Sequence, residues 1–125
     1  MICGIGVDTV EVVRFAQWHT YSRKTLSRIF SDEEIEYCLA QINKSAERFA
    51  VRFAAREAFF KAFSYAFPSH TVPFLTLCKN ISIQKKGSRP FLVFDWLQLS
   101  NPIMIHVSLS HTKTIATAYV IIEER

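Results

Sequence analysis

A chain of 125 residues has the length of one domain, 1–125, with material for a real core and none for a second. Half of it is apolar, eleven residues are phenylalanine and the net charge is +4, so the surface favours phosphates or an acidic partner, and part of the apolar surplus calls for cover by another subunit. Three cysteines at no metal-ligand spacing exclude a disulfide framework and a zinc site and fit a reducing cytoplasm, while Asp8 and Glu11 interrupt the only apolar stretch near the N-terminus and argue against a signal peptide or membrane span.

In chain order, Ile2 to Val10 reads as a strand whose Gly4 and Gly6 permit close backbone approach, with Asp8 near its end. Val12 to about Tyr21 carries a short helical pattern. Ser31-Asp32-Glu33-Glu34 is a capping box opening a helix through about Ile42, and Asn43 to Ala46 reads as a turn. The next helix holds Arg48 to Phe63 and stops near Pro68, with Pro73 soon after. From there the pattern changes to strands. Asn80 to Gln84 and Phe91 to Phe94 form a hairpin about the turn residues Lys86 to Pro90. Ile103 to Leu109 and Ile115 to Ile122 are two further strands, separated by Ser110-His111-Thr112-Lys113. The expected fold is α+β, an antiparallel sheet packed on a long apolar central helix.

That helix carries the strongest functional signal. Wrapped at about 100° per residue, Phe49, Phe53, Phe60, Phe63 and Phe67 share one face, Ala55, Ala58 and Ala62 cover the back, and Glu57, Lys61 and Ser64 form a narrow polar strip. Charges on a buried helix are normally paired or ligated. The plainest reading is that Glu57 and Lys61 pair with each other as an i, i+4 couple, worth about 0.2–0.5 kcal/mol on a surface. The sharper one adds Asp8, a second carboxylate on a buried strand. Two such groups suit Mg2+, which takes one or two protein carboxylates and completes its shell with water and phosphate oxygens, and Lys61 could offset the phosphate charge. Near the other end, His106, Ser108 and Ser110 share one face of a strand leading into a polar turn, a set that suits phosphate oxygens and equally suits an ordinary solvated hairpin.

Three segments together resemble the holo-acyl-carrier-protein synthases, the small type of 4′-phosphopantetheinyl transferase. Gly4-Ile5-Gly6-Val7-Asp8-Thr9-Val10-Glu11 with Arg14 resembles the family's N-terminal motif. Arg52 to Phe63 resembles its R-F-A-A-K-E-A-x-x-K-A helix, and His106-Val107-Ser108-Leu109-Ser110-His111-Thr112 its H-V-S-[IL]-[ST]-H-T strand. The resemblance covers nearly the whole chain. It implies the phosphopantetheinyl transferase fold and Mg2+-dependent transfer of the 4′-phosphopantetheine group of coenzyme A to a serine of an apo acyl carrier protein, with release of adenosine 3′,5′-bisphosphate, an activity of fatty acid biosynthesis. It further implies a homotrimer with active sites between subunits. By position Asp8 and Glu57 would hold the metal, with Glu57 and Lys61 the catalytic pair and Lys61 on the pyrophosphate. Arg14 would meet the acidic carrier protein, and Arg52, Arg56, His106, Ser110, His111 and Thr112 would contact coenzyme A. The acceptor of the serine proton stays open.

Two features depart from the family. Ser64-Tyr65-Ala66 stands where a Gly-Thr-Gly turn is usual, which lets the helix run on to Phe67, and Arg56 replaces a lysine and falls on the phenylalanine face. A family-fold protein that binds carrier protein or nucleotide without turnover is the alternative reading. A nucleic-acid module ranks last, since the phenylalanines follow a core stripe rather than an exposed basic surface.

Overall fold

A computed structural model describes residues 1–95 and 102–125. Strands β1 (Ile2–Glu11), β4 (Ile103–His111) and β5 (Ile115–Glu124) form an antiparallel sheet in the order β1-β5-β4. Strands β2 (Ile81–Lys86) and β3 (Arg89–Phe94) form a separate hairpin. The helices are α1 (Arg23–Leu26), α2 (Asp32–Leu39), α3 (Ile42–Ala66) and α4 (Phe74–Lys79), with 3-10 turns at Val12–Phe15 and Trp18–Thr20. The expected α+β architecture is present, with two antiparallel sheets rather than one and α3 as its centre.

The sheet alternates as a half-buried strand pattern should. On β5, Ala116, Ala118, Val120 and Ile122 face α3 and are fully buried. On β1, Gly4, Gly6 and Val10 face inward, while Ile5 and Val7 stand on the outer face, where Tyr119 of β5 is also exposed. The helix answers with Ala54, Ala55, Ala58, Ala62, Phe59 and Phe63, all buried. Small residues on both sides bring backbone against backbone, so a Cβ at Gly6 would overlap the Ala58 carbonyl and one at Gly4 the Ala62 carbonyl. That close approach fixes where β1 sits along α3. Gly6→Ala is therefore expected to cost about 1–3 kcal/mol or more, because neither backbone can retreat without opening the core. A denaturant midpoint within error of wild type would refute this packing.

Several boundaries differ from those expected. The capping box at Ser31 and Glu34 is present, but α2 ends at Leu39 and the expected turn at Asn43–Ala46 is the first turn of α3. A single extended residue, Gln41 (φ −136°, ψ 109°), redirects the chain, so the polar run after it wraps as helix with Ser45 buried. Between Pro73 and the strands lies α4, whose Phe74, Leu77 and Cys78 recur at helical spacing behind a proline suited to a helix start. The hairpin turn shrinks to Gly87-Ser88, with Gly87 at φ 65° and Lys86 paired to Arg89. Helix α3 continues through Ala66, and Tyr65 stands exposed on its last turn. Among the described residues no helix is long and apolar enough to cross a membrane.

Candidate active site

Because Gly6 abuts Ala58 and Gly4 abuts Ala62, Asp8 falls beside the polar strip of α3. Lys61 Nζ donates to the Val7 carbonyl at 3.0 Å and to Asp8 Oδ1 at 3.2 Å. The lysine thus pairs across to β1 rather than along the helix to Glu57. Asp8 has a side chain only 16% exposed, and its Oδ2 is buried with no hydrogen-bond partner. Glu57 is half-buried, and burial first, then the charge of Asp8, pushes its carboxyl above the usual range against the opposing pull of Lys61 and Arg14. One carboxylate with an orphaned buried oxygen and another pushed toward protonation make a cluster deficient in positive charge. A hard divalent cation fits that deficit. Among the described residues no group of three or more His, Cys, Asp or Glu could hold a metal, so an ion here would complete its shell from water and phosphate oxygens.

A second polar feature lies elsewhere. A cavity of 290 Å³ is lined by Tyr37, Lys44, Arg48, Arg52, Lys85 and His111, among others. Arg52 is the notable member: its side chain is 6% exposed and its buried Nε has no hydrogen-bond partner. His111 Nδ1 lies 3.8 Å from Glu47 Oε2 at the cavity wall. Cations crowded about one concavity are suited to phosphate oxygens.

The remaining expected residues divide. Arg56 is not on this surface: it is fully buried, donates from Nη1 and Nη2 to Glu34 at 2.8 and 2.5 Å, and donates to the Ile81 carbonyl at 3.0 Å. The guanidinium that the helical wheel placed among phenylalanines is paired through both Nη atoms with an acid from α2, while its buried Nε has no hydrogen-bond partner. Thr112 Oγ1 accepts from the amides of Thr114 and Ile115 at 3.2 and 3.1 Å and so orders the β4–β5 turn. Ser110 is exposed on β4, opposite Thr117. His106 Nε2 meets Glu123 Oε1 at 3.0 Å, and this bond holds the Glu123 carboxyl below its usual range. The exposed Arg14 guanidinium lies 5.6 Å from the Phe15 ring.

The topology keeps the two features apart. Asp8 lies on β1 and His111 on β4, the opposite edges of the three-stranded sheet. Along α3, Arg52 and Glu57 are five residues and so about 140° apart. Within one protomer the carboxylates and the basic cavity therefore occupy opposite sides of the central helix. Sequence reasoning overlooked the contribution of α2, since Glu34 was accounted for as a helix cap. The signal was available in Arg48, Arg52 and Arg56 at i, i+4 and i+8, a ladder that cannot be buried without an acid.

The 4′-phosphopantetheinyl transferase superfamily matches residues 4–121. A holo-[acyl-carrier-protein] synthase of Treponema denticola is 39% identical over 98% of this chain and 99% of its own length. One from Koribacter versatilis is 36% identical over 99% and 100%. Among solved structures, a Chronobacterium ammoniagenes ACPS–CoA complex superposes with a TM-score of 0.81 at 26% identity, covering 98% of this chain and 97% of that one. A Bacillus anthracis holo-(acyl-carrier-protein) synthase in complex with CoA (3′,5′-ADP) gives 0.74 at 28% identity, covering 99% and 97%.

Proposed function

The chain belongs to the 4′-phosphopantetheinyl transferase superfamily and is an enzyme of its holo-[acyl-carrier-protein] synthase branch; from that premise we propose that it acts as one domain, 1–125, in a reducing cytoplasm, moving the phosphopantetheine of coenzyme A to a serine of an acidic apo acyl carrier protein in a Mg2+-dependent reaction that releases adenosine 3′,5′-bisphosphate. The observation that carries this reading is the buried, unpartnered Asp8 Oδ2 beside Glu57 and Lys61. Asp8 and Glu57 would hold magnesium, which when bound would supply charge neutralisation at the pyrophosphate and polarisation of the attacked phosphoryl group. Lys61, held on Val7 and Asp8, presents a point charge to the same phosphates. The serine oxygen forms the new phosphoester bond in line with the bond it breaks, the one to the departing nucleotide. Arg14, exposed beside this cluster, meets the acidic carrier.

Coenzyme A carries a pyrophosphate and a further phosphate on its nucleotide. The first belongs at the carboxylates and the second at the basic cavity, which lie on opposite sides of α3. Both are engaged together only if one subunit supplies Asp8, Glu57 and Lys61 and its neighbour supplies Arg52 and His111, with His106, Ser110 and Thr112 shaping the strand and turn that deliver them. Burial of Ile5, Val7 and Tyr119, exposed on the outer sheet face, would hold such an assembly, a homotrimer, together.

The test is to incubate the purified protein with an apo acyl carrier protein, coenzyme A and Mg2+ and to read the added phosphopantetheine by intact mass, with a chelator control. The expected result is a magnesium-dependent adduct. No adduct from protein that is folded and binds coenzyme A would make it a binding protein without turnover, with Tyr65, exposed where the family keeps a glycine turn, the first place to look.

A further inference from the structure

Helix α2 brings to the basic cavity a side chain with no role so far. Tyr37 lies three residues beyond Glu34 on the face turned toward α3. Its backbone carbonyl accepts from Arg48 Nη1 at 2.7 Å, and its ring lies 4.0 Å from the Arg48 guanidinium and 4.5 Å from that of Arg52. From the hairpin, Lys85 Nζ donates to the phenolic oxygen at 3.3 Å and lies 5.1 Å from the ring. Three cations on two elements thus share one aromatic support.

Left to themselves these cations would repel and splay into solvent. The faces of an aromatic ring carry negative charge density and attract guanidinium and ammonium groups. Arg52 has a further restraint in Glu34 Oε2, 4.0 Å from its Nε, but Glu34 is already engaged by Arg56. Arg48 and Lys85 make no ion pair with a carboxylate among the described contacts. The three side chains all line the 290 Å³ cavity together with Tyr37. We propose that Tyr37 is a positioning residue that gathers Arg48, Arg52 and Lys85 into one arrangement for the phosphate of the coenzyme A nucleotide. The assignment rests on the proposed function and adds to it a residue outside the three sequence motifs. Tyr37 touches no reacting atom. It sets substrate affinity and leaves the chemical step alone.

The experiment compares Tyr37→Leu and Tyr37→Phe with wild type, titrating coenzyme A by calorimetry and measuring kcat, KM and Tm. Leucine removes both ring and hydroxyl and is expected to raise Kd and KM for coenzyme A about 10-fold, with kcat unchanged and Tm only slightly lowered by the lost ring contacts. Phenylalanine keeps the ring and is expected to restore most of the affinity. Wild-type affinity in the leucine variant would overturn the proposal. So would a parallel fall in kcat and Tm, which would mark a structural role. A wild-type protein that binds no coenzyme A would fail earlier, removing the functional reading and this inference with it, and the wild-type titration separates that result from the others.

Discussion

Glu34→Ala is expected to lower the free energy of unfolding by about 3–5 kcal/mol, the cost of leaving a buried charge without its partner. The carboxylate and the Arg56 guanidinium are both completely buried and joined through two hydrogen bonds. Removing the acid strands Arg56 between the Phe30 ring and the Ile81 carbonyl, where water cannot replace it. The same carboxylate accepts from the Ser31 amide and hydroxyl at 3.1 and 2.9 Å, so α2 also loses its capping box, worth about 1 kcal/mol. Charge burial, not packing alone, is the origin of the loss, and a double variant tests this. Glu34→Leu with Arg56→Met removes both charges, fills comparable volume and is expected to recover most of the stability. Chemical denaturation reads both proteins. A single variant that loses less than about 1 kcal/mol, or a double variant no better than the single, would contradict the account.

This pair also shows where sequence reading stops. The long helix, the capping box, the hairpin and the last two strands are legible because each has a periodicity or turn chemistry of its own. The break between α2 and α3 is not, since one extended residue, Gln41, makes it without glycine or proline. The cluster of Asp8, Glu57 and Lys61 could be anticipated because Glu57 and Lys61 interrupt an apolar helix and Asp8 interrupts an apolar strand. Their pairing could not: the i, i+4 spacing suggests Glu57 with Lys61, and only the contact of Gly4 and Gly6 with α3 reveals that Lys61 reaches Asp8. Arg56 is the same lesson reversed. Its buried guanidinium demanded a partner, and the partner lies 22 residues upstream in another helix, where tertiary structure alone could put it.

Glu57→Gln is expected to cut magnesium-dependent transfer by about 10²–10³-fold or more, on the scale of losing one group that stabilises transition-state charge, while leaving the fold intact. The stability side has a sign that can be worked out. Glu57 is held above its ordinary value of 4.5 by burial and by Asp8. A group with a raised folded-state pKa contributes stability that is full below the unfolded value and is lost as pH rises through the folded one. At neutral pH without metal the ionised Glu57 is therefore a burden, and glutamine, isosteric and uncharged, should match or exceed wild-type Tm. Magnesium with coenzyme A inverts the order: wild type gains stability by binding and the variant gains little. The gain in wild type should shrink as pH falls toward the Glu57 pKa, because protons compete with the ion for the carboxylate. A variant less stable than wild type in chelator, or one stabilised equally by magnesium and coenzyme A, would show that Glu57 is a structural acid and would return the site to Asp8 and Lys61 alone.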